Sequence, residues 1–374
     1  MNKADYYNTI GLQIEDLRGL AEVQTEKCFD RKKLSALLDE RAYKNLKRVI
    51  ITGCGDSYSA AGAMLPAFRL HSGLGQVAVP DPMDFCRFYD EREVLKNCTN
   101  EETLVIAVSA SGGSDRIVEI LAKGNALNVG SMLISNNPDS KGAKAAKYMY
   151  HVETPPGCNS PGLRSYFASM IAITALGAYI GLMQGHITDA RFEEVKRGIV
   201  AHTKAFMAHY DRIDDQMFEL SKTWKHYEKF EVVGDWDEGF SAQFVEEKFI
   251  ECAGVHCTHA DSEDWCHINY FMRDPKNIGT IFMVNSRAAD FDRMVYSIRS
   301  AVAVGRPTLV VTDADASQFP AEAAVCTIPA APETWLMPMV DFAPGSMLSA
   351  YVAAVAGKLF FVGRYDFRTQ KWNM

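Results

Sequence analysis

The sequence predicts an α/β protein made of two similar three-layer units, each a parallel sheet between helices. Three observations lead there. Short β-branched runs end in Gly-, Ser- or Asp-bearing loops, and helical segments follow them. The same punctuation returns in the second half, after a charged helical stretch. A 19-residue uncharged segment, Ser165 to Met183, separates the halves. Its length permits a membrane span, but Ser, Thr, Tyr and Ala dilute its hydrophobicity and it stands alone, so it reads as a buried helix.

In order along the chain, residues 12–46 read as helical and charged. Val49 to Thr52 is a strand, Gly53 and Gly55 make a turn, and Ser57 to Phe68 form a helix bent or ended near Pro66. Residues 104–108, 129–137 and 147–152 supply three more strands or strand-to-loop passages. Residues 188–226 are again charged and helical. The run from Phe230, FEVVGDWDEGFSAQF, repeats the order seen at Val49: strand, Gly- and Asp-bearing loop, Ser-Ala, helix. Strands follow at 278–286, 307–315 and 323–329. Element order, more than residue identity, points to an internal duplication. The expected divisions are 1–45, a helical segment; 46–187, the first unit; 188–227, a connector; and 228–374, the second unit with a tail. A single doubly wound domain with a helical insert is the alternative.

Composition narrows the function. The 374 residues carry 39 basic and 47 acidic side chains, a net charge of -8, which disfavours non-specific nucleic-acid binding. No apolar leader opens the chain, and nine irregularly spaced cysteines suit a reducing compartment, so the expected location is cytoplasmic.

The stretch SASGGS, Ser109 to Ser114, places three hydroxyls and two glycines between a strand and a helix start. Glycines let the chain turn sharply and present N–H groups, and a helix N-terminus favours an anion. The site is either an anion cradle or a Ser-rich cap with no ligand. Asp115 counts slightly against the cradle, because a carboxylate repels phosphate. There is no Walker sequence, and GCGDSY departs from GxGxxG at Tyr58, which leaves a dinucleotide site weakly supported.

Together, GCGDSY (53–58) and SASGGSDRIVEI (109–120) resemble the sugar isomerase (SIS) domain family. The resemblance implies a five-stranded parallel sheet between helices, often present twice. It implies phosphate binding by Ser57, Ser109, Ser111 and Ser114, with Gly53, Asp56 and Gly112 in the pocket. Asp56 departs from the small hydroxyl residue usual at its position.

The segment 246–267 is dense in acid–base residues: Glu246, Glu247, Glu251, His256, His259, Asp261, Glu263, Asp264 and His267. Neither a CxxC pair nor an HExxH helix appears there, so no metal is expected. Glu251 and His267 are sixteen residues apart and match the Glu–His pair of the amino-sugar phosphate isomerase module and of the Amadori deglycases. By that resemblance, Glu251 is the general base and His267 assists ring opening, reaching a neighbouring subunit's site. His256, His259 and Glu263 are the further pocket candidates. Ile268 and Asn269 stand where the family often has Gly-Pro. A basic tail residue, drawn from Arg364, Arg368 and Lys371, has no distinctive match. The short segment before the first strand leaves no room for the glutamine-hydrolysing domain of the amidotransferases.

The expectation is thus a phosphosugar isomerase-type enzyme acting on a sugar or amino-sugar 6-phosphate through an enediol or enaminol. A fructosamine 6-phosphate deglycase is the alternative enzyme, and a phosphosugar sensor the non-catalytic one. No cofactor, nucleic acid or membrane partner is expected. A homodimer or higher homo-oligomer is.

Overall fold

The charged residues before the first strand form three helices: α1 (Thr9–Cys28), α2 (Arg31–Ser35) and α3 (Glu40–Asn45). Asn8, Asp30 and Asp39 stop any fusion into one, because each side chain caps the helix that follows it by accepting first-turn N–H groups. These coordinates come from a computed structural model that describes residues 1–157 and 160–361.

The first unit then runs β1 (Arg48–Gly53), α4 (Asp56–Ala63), α5 (Leu65–Ser72), β2 (Gln76–Ala78), α6 (Pro82–Arg87), α7 (Glu91–Leu95), β3 (Thr103–Val108), α8 (Asp115–Ala126), β4 (Gly130–Ser135), α9 (Lys141–Ala145), β5 (Tyr148–His151) and α10 (Arg164–Met183). The break expected near Pro66 separates α4 from α5, with the proline in the first turn of α5, where its missing N–H costs nothing. Two helices, α11 (Asp189–Met207) and α12 (Tyr210–Trp224), lead to the second unit. It runs β6 (Lys229–Val233), α13 (Trp236–Ala253), β7 (His256–Ala260), α14 (Ser262–Ile268), β8 (Ile278–Val284), α15 (Phe291–Ala303), β9 (Thr308–Thr312), β10 (Ala324–Thr327) and α16 (Phe342–Val355).

The sheets have orders β2-β1-β3-β4-β5 and β7-β6-β8-β9-β10, which are the same order once per unit. Every strand pairing is parallel. This is the duplicated three-layer α/β fold the sequence predicts. Parallel strands covered on both faces should be apolar throughout, and β1, β3 and β8 are buried along their whole length. Successive side chains serve opposite layers. Val49 and Ile51 enter the central core, while Ile50 joins the layer beneath α8. In the second sheet, Val232 and Ile281 enter that same central core, while Val233 and Phe282 face the layer with Met294 and Ile298 of α15.

The central core therefore belongs to both units, and α10 and α16 lie within it. Helix α10 is long and apolar enough to cross a membrane, but 89% of its most apolar window is inside the protein. It is a core helix, as its sequence suggests. Its counterpart α16 carries no charge.

Two edge strands differ from the sequence expectation. β2 is only three residues long, and its apolar content is too slight to mark it. β7, HCTHA, is polar and largely exposed. His256 and His259 thus sit on an edge strand. An edge strand needs only one partner's hydrogen bonds, so polar residues are tolerated there.

Candidate functional site

In the order β2-β1-β3, the chain leaves β1 toward one side of the sheet and β3 toward the other. The loops diverge at the carboxyl ends of the strands, and a crevice opens between them. Both motifs lie there. Gly53 ends β1 in register with Val108. A Cβ on Gly53 would meet the Val108 carbonyl oxygen at 2.8 Å and Ser57 at 2.9 Å, so only glycine lets the two loops approach. Gly112 has φ +62°, and a Cβ there would fall 2.2 Å from Ser140 Oγ.

The serines divide their work. Ser109 is buried, and its Oγ accepts the Gly112 N–H at 3.0 Å, which folds the loop. Ser111 is exposed, and its Oγ accepts the Gly113 N–H at 3.3 Å. Ser114 occupies the N-cap of α8, yet its side chain makes no bond to the helix. A purely capping serine would make that bond. Asp115 forms an ion pair with Lys141 at 3.1 Å and does not line the cleft, which removes the objection raised by its charge.

The opposite wall is α13, from the second unit. Phe240 packs edge-on to Tyr58 of α4 at 5.7 Å, and Phe244 stacks on Tyr166 of α10 at 3.8 Å. These contacts hold α13 so that Glu247, Ile250 and Glu251 face the serines across a cleft of about 480 Å³. Asp56 and Ser57 line the same space. The described lining residues include no Lys or Arg.

Lys248 lies beneath the cleft, with no exposed side-chain surface. Its Nζ reaches Asp56 Oδ1 at 2.9 Å, Glu251 Oε2 at 2.5 Å and the Gly162 carbonyl at 3.2 Å. Burial works against its charge, but the Asp56 and Glu251 carboxylates more than offset this and raise its pKa. Glu247 has the opposite fate. Burial, then the facing Asp56 carboxyl, push its pKa up to about 10. Among the described residues, no hydrogen-bond partner reaches its buried Oε2. Burial also raises the Cys54 thiol and Tyr166 phenol, so neither is an activated nucleophile.

Of the residues named from sequence, Asp56, Ser57, Ser109, Ser111, Ser114 and Glu251 meet in this cleft, while Gly53 and Gly112 shape its loops. His267 and Glu263 line a different cavity of about 410 Å³, where Glu263 pairs with Arg293 at 2.8 Å. His259 is bonded to Glu246, and His256 is exposed on β7; neither lines the cleft. Arg364, Arg368 and Lys371 lie outside the described residues. Among the described residues, no three His, Cys, Asp or Glu are placed to hold a metal ion.

Glu247, Lys248, Ser165 and Tyr166 were not given roles by sequence reasoning. One signal was available: Glu247 and Lys248 precede Glu251 by four and three residues, which puts all three near one helix face.

Among its described residues, the second unit has no matching cradle. Asp235 accepts both the Ser262 N–H at 2.7 Å and its hydroxyl at 2.5 Å. Asp313 does the same for Ser286, at 2.7 and 2.9 Å. Hydroxyls at that end are already engaged by carboxylates, which would also repel an anion.

Comparison with known proteins agrees with this fold. Residues 43–179 match the family model described as SIS domain. No curated protein sequence matches the chain. Among solved structures, the C-terminal domain of glucosamine-fructose-6-phosphate aminotransferase from Francisella tularensis is similar, with a TM-score of 0.79 at 18% identity over 96% of this chain and 98% of that one. Glucosamine-6-phosphate deaminase from Thermotoga maritima gives 0.65 at 13% identity, covering 94% and 96%. Tagatose-6-phosphate ketose/aldose isomerase from Escherichia coli gives 0.70 at 13% identity, covering 99% of both chains. At these identities the likeness is one of fold, and it extends through both units. The family model matches the motif-bearing segment 43–179, so the likeness to the SIS-domain family is shown for the first unit.

Proposed function

We propose that this chain is an enzyme that moves a proton between adjacent carbons of a phosphorylated sugar or amino sugar. One observation carries the reading: a serine-lined loop end and a carboxylate on α13 face each other across one cleft. The serine hydroxyls and the N-terminus of α8 bind the phosphate. That remote anion fixes the distance from the loop to the reacting carbons, so its binding orients the chemistry. Glu251 is the base that takes the carbon-bound proton and leaves an enediol or enaminol. The similar structures, an aminotransferase domain, a deaminase and an isomerase, are named for sugar phosphates or their amino forms, which supports the substrate class.

A second reading, Amadori 6-phosphate deglycation, is favoured by the acidity of the wall. Asp56, Glu247 and Glu251 surround the reacting end, and three carboxyls there suit a substrate bearing an amine. His267 enters either scheme by reaching the cleft of a second copy. The exposed run beside it, Ile268, Tyr270, Phe271 and Met272, is the surface such a homodimer would cover.

Incubation with hexose 6-phosphates and fructosamine 6-phosphates in deuterated water, read by mass spectrometry, tests these readings together. Deuterium at a sugar carbon with isomer exchange supports the first, and amine release the second. Binding without exchange or release refutes catalysis. Sedimentation tests the assembly: a fully active monomer refutes a role for His267 across subunits.

A further inference from the structure

We infer that Glu247 is a second catalytic carboxyl of this cleft, holding the proton that passes to and from the sugar oxygens while Glu251 moves the carbon-bound proton. This rests on the isomerase reading above. The geometry distinguishes the two glutamates. They are one helical turn apart on α13 and line the same space. Glu251 is fastened to the Lys248 ammonium at 2.5 Å, as befits a proton acceptor. Glu247 forms no ion pair with Lys248, whose charge is outweighed by burial and by the facing Asp56 carboxyl, and among the described residues no hydrogen-bond partner reaches its buried Oε2. Two carboxyls held face to face repel if both are ionised, and a proton between them removes the repulsion. Ionising Glu247 would also leave a charged, buried oxygen without a hydrogen bond, which costs more than leaving a neutral one. A neutral carboxyl beside one that is ion-paired with an ammonium separates acid from base.

Among the described residues, the charged and titratable groups facing Glu247 come from three helices. They are Asp56 on α4, Lys248 and Glu251 on α13, and Tyr166 on α10. Lys248 already serves Asp56 and Glu251, and Tyr166 is held neutral by burial. Glu247 is thus the cleft carboxyl that holds a proton.

The step balances without a further reactant. In an open-chain aldose, Glu251 takes the C2 proton as the C1–C2 double bond forms. The C1 carbonyl oxygen takes the proton of Glu247, giving the enediol. Glu247, now a carboxylate, removes the O2 hydroxyl proton as the C2 carbonyl forms, and Glu251 returns its proton to C1. Both residues end as they began.

The test has two readouts on the full chain. Infrared difference spectra at neutral pH between wild type and Glu247→Gln should contain a protonated-carboxyl band that the variant lacks. Kinetics on the sugar phosphate turned over by wild type should show kcat reduced about 100-fold in Glu247→Gln with KM nearly unchanged. The wild-type alkaline limb of kcat should be absent from what activity remains. Glu246→Gln, whose residue pairs with His259 outside the cleft, serves as the control and should match wild type. No carboxyl band, or a Glu247→Gln enzyme within a few-fold of wild type, overturns the inference. A band in a wild-type protein that turns over no sugar phosphate overturns the functional reading, and the catalytic role with it, while upholding the protonated Glu247. Glu247→Ala, read by the same band, guards against a variant that misfolds.

Discussion

The protonated state of Glu247 has a thermodynamic consequence that can be measured without any substrate. Its pKa in the folded chain is raised, by burial and by Asp56, to about 10 from an ordinary 4.5. Above the ordinary value, the unfolded chain releases this proton and the folded chain keeps it. Stability falls with rising pH wherever the folded state binds more protons. For this group the fall begins near its unfolded pKa, continues through neutrality and ends at the folded pKa. The slope is at most about 1.4 kcal/mol per pH unit, or about 4 kcal/mol between about pH 5 and about pH 8. Glu238 and Asp341 are also raised by burial and add slopes of their own, so wild type alone does not isolate Glu247. Glu247→Gln does. The amide keeps the size of the neutral acid and cannot ionise. Urea unfolding of both proteins at the two pH values gives the double difference. The variant should gain on wild type as pH rises, by several kcal/mol at most. A relative gain under about 1 kcal/mol, less than one unit of pKa shift, refutes a Glu247 held neutral by its surroundings.

Three other perturbations test neighbouring parts of the site. Lys248→Met should destabilise the chain by about 3 kcal/mol, the low end for breaking a buried ion pair, because Asp56 and Glu251 keep some contact with water. Urea midpoints at unchanged m measure it, and a loss below about 1 kcal/mol would show the pair to be structurally dispensable. Ser111→Ala should weaken binding of a sugar phosphate by about 1.5–3 kcal/mol and leave the dephosphorylated sugar nearly unaffected. Equal losses for both ligands in calorimetry would remove Ser111 from the phosphate site. Glu251→Gln should reduce turnover at least about 100-fold with little change in phosphosugar affinity, and normal carbon-proton exchange in that variant would transfer the role of base elsewhere.

Much of the fold was legible because it is written locally. Apolar strands buried on both faces, such as LVIAV before Ser109, stand out from their surroundings, and the glycines and serines after them mark the turns. The uncharged Ser165–Met183 run announces a core helix for the same reason. The edge strands β2 and β7 were missed because their stabilisation comes from pairing with β1 and β6, not from burial of their own side chains. The division of residues 12–46 into three helices depends on caps at Asp30 and Asp39, single residues that a charged helical stretch easily hides.

For the site, sequence by itself determined the two loop motifs and the candidate base, since strand, turn and helix start follow one another within a few residues. Only the tertiary structure decided which groups share a cleft. It brought Glu251 to the serine loop, left His267 and Glu263 in another cavity, and kept His256 and His259 on an edge. It also gave neighbouring residues on α13 different electrostatic states. Lys248 and Glu247 are adjacent in the chain, but one is buried between two carboxylates and the other faces a carboxyl, Asp56, that Lys248 already pairs with. Charge state follows from desolvation and from the sign of the nearest partner, and both are set by packing between residues nearly two hundred positions apart, as Asp56 and Lys248 are.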